Sequence, residues 1–149
     1  MYSFILVVHN LVRWVALILG MLIIVTSFYG WLGKRSWSQS GRRLAVAYTS
    51  AMDIQLLLGL LLYIFISPIT RSAFQDLSAA MGNPAKRFFT LEHALYMLLA
   101  VVFAHLGSIL AKKAQDDAGK YRRSALWFGL SIIMLFLGMP WNRPLFPVF

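Results

Sequence analysis

The chain has no cysteine, which removes disulfides, iron–sulfur clusters, covalently attached c-type haem and thiol catalysis together. Acidic side chains are scarce as well: 5 Asp and Glu stand against 14 Lys and Arg, a formal net charge of +9. No glycine-rich phosphate loop and no nucleophile–base arrangement occurs, so nothing points to nucleotide binding or hydrolysis. Charged residues of both signs make up only 13% of the chain, whereas 60% is hydrophobic and the mean hydropathy is +0.71. A soluble domain of 149 residues cannot bury that much apolar surface, so lipid is the expected solvent for much of it. Arg13 is the first basic residue, so no positive region precedes the first apolar stretch, and no small-residue cleavage pattern follows it. That stretch is expected to be retained rather than cleaved as a signal.

The basic residues gather in short loops between apolar runs, a pattern of membrane topology that needs no nucleic-acid partner. Four spans are expected, at about 6–32, 44–66, 91–111 and 125–139, each near the roughly 20 residues that cross a bilayer, the fourth being short. Long apolar runs in so short a chain cannot close a barrel, so all four are expected to be helices in one domain, 1–149. Lys34, Arg35, Arg42, Arg43, Lys112, Lys113, Lys120, Arg122 and Arg123 fill the first and third loops. Arg13, Arg71, Lys86, Arg87 and Arg143 lie on the other side, which places both termini outside in an all-α, up-down-up-down four-helix bundle. Tyr29, Trp31, Tyr48 and Trp127 are expected at the inner boundary, and Phe88, Phe89 and Trp141 at the outer one. The second loop, 69–89, is expected to hold a short amphipathic helix near 71–81.

Histidine is the strongest metal ligand available, and two of the three recur at matching depths. His9 opens the first span and His93 the third, both running inward from the outer face. At about 1.5 Å rise per residue the two imidazoles lie at similar heights. Facing histidines in a helix bundle are how membrane cytochromes hold haem b. Arg13, four residues after His9, suits a propionate, and Lys86 and Arg87 could carry the same charge from the loop. The plainer reading stands beside this: a histidine in the headgroup zone costs little, and Arg13 could snorkel outward. Thr90 is the expected N-cap of the third span, with Glu92 in its first turn. Zinc or copper on His9, His93 and Glu92 is a lesser variant.

Deeper in, Asp53 and His105 agree in depth, about 10–13 Å from the inner side, and are expected to meet. A carboxylate at that depth needs a partner, and Gln55, Tyr48, Thr49 and Ser50 are further candidates. His93 and His105 point about 120° apart on an ideal helix, which favours a polar pair over a second haem at the inner site. Three roles stay open for the pair: a register-fixing hydrogen bond, a proton or quinone-headgroup site, or a lone axial ligand ordered by Asp53. Met52, Met97, Met134 and Met139 could ligate but more often pack; Gly20, Gly59, Gly107 and Gly129 could admit a macrocycle or a neighbouring helix. Asp116 and Asp117 are expected to be solvated. The proline-rich tail, 141–149, cannot be helical, and its Leu145, Phe146, Val148 and Phe149 are expected on the membrane or on a partner.

Several short motifs together resemble a known family. His9-Asn10-Leu11-Val12-Arg13-Trp14, the run from Ile54 to Tyr63 with Ser67-Pro68, Arg87-Phe88-Phe89-Thr90-Leu91-Glu92-His93, and the ending Gly138-Met139-Pro140-Trp141 occur in the order found there. The chain is similar, over most of its length, to small four-helix bacterial membrane proteins labelled cytochrome b. That resemblance implies a protein of the bacterial cytoplasmic membrane with haem ligated by His9 and His93. The chain departs from the pattern at Asp53, where many members carry histidine, so an inner haem with His105 lacks a ligand here. The expected function is electron exchange with quinol or a partner redox protein through one haem b near the outer face. The alternative is a cofactor-free accessory subunit of a respiratory or photosynthetic complex.

Overall fold

The protein is described by a computed structural model covering residues 1–143; the expected tail contacts of Leu145, Phe146, Val148 and Phe149 lie outside the described residues. The first helix, α1 (Tyr2–Leu32), runs 31 residues and begins before the expected position 6. His9, Arg13, Ala16, Leu17, Gly20, Ile23, Ser27 and Gly30 form its buried stripe, spaced by three and four as a helix face requires. Leu11, Val15, Ile18, Leu22 and Val25 face outward instead. Small and polar residues inside with large apolar ones outside is the pattern of a helix solvated by lipid. Gly20 and Gly30 permit close approach: a Cβ on Gly20 would meet Ile132 and come within 2.9 Å of Tyr48, and one on Gly30 would meet Tyr121.

The next helix, α2 (Gln39–Leu61), starts where Ser38 Oγ accepts the Gly41 N–H at 3.1 Å. It widens into a π-helical turn, Leu62–Ile66, and stops at Ser67 before Pro68. The single amphipathic helix expected near 71–81 is two helices, α3 (Pro68–Gln75) and α4 (Leu77–Gly82). Asp76 divides them, because its carboxylate caps α4 by accepting the Ala79 N–H at 2.9 Å. Helix α5 (Pro84–Arg87) is capped by Asn83 and passes through a second π turn, Phe88–Glu92, into α6 (His93–Lys112). Thr90 therefore lies inside a continuous helical run and is no N-cap. The last helix is α7 (Asp117–Leu137).

Among the described residues there is no strand. Helix α1 packs on α2 and α7, and α6 packs on the same two. Three helical stretches, Tyr2–Leu32, Gln39–Ile66 and Pro84–Lys112, are long and apolar enough to cross a membrane, which marks the chain as a membrane protein. Helix α7, 21 residues long, is not among them, because Lys120, Arg122 and Arg123 occupy its start. At the centre, the rings of Tyr48 and Phe128 meet edge to face at 5.5 Å. Tyr48 is fully buried. Its hydroxyl lies 2.7 Å from Ser131 Oγ, which in turn donates to the Ala100 carbonyl at 2.6 Å. Because Ser131 spends its one proton on that carbonyl, Tyr48 must be the donor of the first bond.

Candidate functional site

The three-and-four spacing that buries Arg13 and Leu17 also turns His9 inward, and the α6 register brings His93 to the same height. The two imidazole centroids lie 6.4 Å apart with planes inclined at 66°. They share a cavity of about 370 Å³. Helix α2 contributes Gln55 and Gly59, the π turn Leu62 and Tyr63, α6 Met97, and α7 with its exit Leu135, Met139 and Pro140. Arg13 lines the same cavity and is only 8% exposed, so it does not snorkel outward. Its guanidinium also lies 5.7 Å from the Trp14 ring centre.

Each of these two imidazoles has one polar contact within the described residues. His93 Nδ1 donates to the Gly138 carbonyl at 2.7 Å, which leaves its Nε2 to carry the lone pair of the neutral ring. His9 Nε2 lies 3.2 Å from the amide nitrogen of Gln55. His9 Nδ1 and Gln55 Oε1 are buried with no hydrogen-bond partner among the described residues. Leaving such atoms unsatisfied costs about 1–3 kcal/mol each, so both call for a polar partner. Gly59 keeps room beside His9, since a Cβ there would stand 3.4 Å from His9 Cε1.

Residues of both π turns, Leu62, Tyr63 and Phe89, line this cavity. Tyr63, in the first, donates its hydroxyl to the Thr90 carbonyl in the second at 2.6 Å, and Thr70 Oγ1 donates to the Tyr63 carbonyl at 2.8 Å. Side chains thus satisfy carbonyls that lie in the widened ladder.

Several expected partners lie elsewhere. Glu92 accepts from Arg87 Nε at 2.8 Å on the surface, so neither reaches the cavity. Lys86 does not line it either. Among the described residues no group of three His, Asp or Glu is poised for a metal, which overturns the zinc or copper variant with Glu92. Met97 and Met139 line the cavity, whereas Met52 packs in the core. Arg143, expected only as one of the basic residues that set the topology, lines the cavity and lies 4.4 Å over the Phe89 ring.

Asp53 and His105 do meet: His105 Nε2 donates to Asp53 Oδ1 at 2.8 Å. Gln55 does not join them, because it faces His9. Tyr48 is bound to Ser131, and Thr49 donates to carbonyls of its own helix. Asp117 is held rather than merely solvated: the Lys120 ammonium at 3.1 Å, together with a Trp37 backbone hydrogen bond, keeps its carboxyl below the ordinary carboxylate range. In comparisons with known protein families, curated proteins and solved structures, nothing matches the chain.

Proposed function

We propose that this chain is a small b-type cytochrome-like protein, a multi-pass four-helix bundle of the bacterial cytoplasmic membrane with both termini outside. One haem b would lie near the outer face on His9 and His93, exchanging electrons with quinol or a partner redox protein. The observation that carries the reading is the 6.4 Å between the two imidazole centres across a shared cavity. His9 and His93, facing each other across the cavity at that distance, are the residues that would hold the haem iron. Haem needs only these two protein ligands and would supply one-electron chemistry when bound.

The remaining residues fit the same occupant. His93 presents Nε2 because Nδ1 is committed to Gly138. If His9 ligates through its unpartnered Nδ1, its Nε2–H donates to the Gln55 amide oxygen once that amide is turned about, which satisfies both orphaned atoms. Arg13 and Arg143, both on the cavity, supply guanidinium forks of the kind that bind carboxylates such as propionates. The order of the sequence motifs supports the same reading.

A reduced-minus-oxidised absorption spectrum of protein made with ample haem tests it. Sharp bands in the parent that vanish in both His9→Ala and His93→Ala are expected. A flat parent spectrum would overturn the cytochrome reading and leave the cofactor-free accessory subunit.

A further inference from the structure

Away from the cavity, the structure carries a second pair of titratable side chains inside its long apolar helices. Asp53 of α2 and His105 of α6 are joined at 2.8 Å, yet their side chains remain 48% and 45% exposed. A pair that served only to fix helix register would be enclosed between the helices; this one opens outward. Val46 and Leu57 lie on the stripe of Asp53, and Leu98, Val102 and Ile109 on that of His105, all of them exposed and apolar. Ser50, exposed one turn before Asp53, adds a hydroxyl. In a helix crossing lipid, the pair is a polar point on an apolar wall, and such points are sites by default.

The hydrogen bond fixes what the pair can accept. The Asp53 carboxylate takes the Nε2–H of His105, so the neutral ring keeps a lone pair at Nδ1. No contact within the described residues uses that Nδ1 or the second carboxylate oxygen. Two acceptors facing hydrocarbon call for a ligand that dissolves in the membrane, donates hydrogen bonds and brings an apolar tail. We propose that Asp53 and His105 form a binding site for the headgroup of a membrane quinol, with a phenolic hydroxyl donating to His105 Nδ1 and the tail along Leu57 and Leu98. The arrangement favours quinol over quinone, because a quinone offers only carbonyl acceptors. The site names a place for the quinol of the reading above and rests on that reading for its membrane placement alone, so it stands whatever fills the cavity.

The test is equilibrium binding of decyl-ubiquinol and decyl-ubiquinone to the full chain in lipid nanodiscs, in haem-loaded and haem-free preparations alike. Saturable binding, with quinol held at least ten-fold tighter than quinone, is expected in both. His105→Leu should abolish the saturable component. Asp53→Asn should narrow the preference, because Asn still accepts from Nε2–H and keeps the Nδ1 acceptor for quinol but adds an N–H₂ donor for a quinone carbonyl; it serves equally if His105→Leu fails to fold. Ile18→Ala, on the lipid-facing side of α1, should change nothing. Only non-saturable partitioning, or an unchanged preference in Asp53→Asn, overturns the proposal. So does a stable dimer that dissociates on His105→Leu without any quinol binding, since a second copy would then cover the pair.

Discussion

The ring of His93 on α6 is tied to the exit of α7: its Nδ1 donates to the Gly138 carbonyl 2.7 Å away. This bond joins a ligand candidate to a backbone position with no room for a side chain. A Cβ at Gly138 would strike Met97 and stand 2.8 Å from Tyr96 Cβ. The glycine therefore sets both the approach of α7 to α6 and the tautomer of His93.

Gly138→Ala is accordingly expected to lower stability by about 1–3 kcal/mol, the usual cost of overpacking, and to release His93 from its tautomer. Nitrogen NMR of histidine-labelled, haem-free protein reads the second effect without reference to any cofactor. A protonated Nδ1 should be seen in the parent and a mixture of tautomers in the variant. An unchanged His93 signal would show that the carbonyl does not hold the ring.

Gln55 stands to His9 as Gly138 stands to His93. Gln55→Leu keeps the volume and removes the partner, and a ligand's hydrogen-bonded neighbour is commonly worth about 10–100-fold in affinity. Haem retention during titration with a haem-scavenging apoprotein should fall by that order. Gln55→Glu should retain haem and lower its midpoint potential, because a carboxylate makes the imidazole a stronger donor. Equal retention in parent and Gln55→Leu would remove Gln55 from the site.

Much of this arrangement was readable in advance, for identifiable reasons. Lipid selects long apolar runs, so the helices stood out, and a fixed rise per residue paired His9 with His93 and Asp53 with His105. Gln55 as a partner of Asp53 runs against the periodicity: two positions along a helix turn a side chain about 200°, so Gln55 cannot face where Asp53 does. The helix start lies not at Thr90 but at Asn83-Pro84, whose sequence carries the signal: a capping side chain followed by proline at the first helical position. The two π turns leave no mark in an apolar pattern, since each inserts its extra residue without changing composition. Gly138 and Arg143 belong to a non-periodic exit, where sequence spacing says nothing about what a residue touches.

At the start of α7, the latch between Trp37, Asp117 and Lys120 gives a pH dependence of defined sign. The Asp117 carboxyl is held below its ordinary value of 3.8, first by Lys120 and then by the Trp37 backbone. Its ionised form is thus favoured in the folded state, so the contribution is fully present above pH ~4 and is lost as pH falls through the depressed value. Thermal unfolding at stepped pH should show a small acid-side decline in Tm that is absent in Asp117→Asn. Parallel curves for the two proteins would mean that the latch contributes nothing.

The direction of the bonds at Tyr48 makes two conservative substitutions unequal. Tyr48 donates to Ser131, and Ser131 donates to the Ala100 carbonyl, all within the buried core. Tyr48→Phe removes the first donor and leaves Ser131 still bonded to the carbonyl, a loss of about 0.5–1.5 kcal/mol. Ser131→Ala strands both the phenol and the carbonyl, each an unsatisfied buried group worth about 1–3 kcal/mol. Ser131→Ala should therefore lower Tm clearly more than Tyr48→Phe does. The double variant should come close to Ser131→Ala alone or recover part of its loss, because removing the phenol removes one of the two stranded groups. If Tyr48→Phe were the more damaging, the bond would run the other way, with the phenol rather than the serine serving the Ala100 carbonyl.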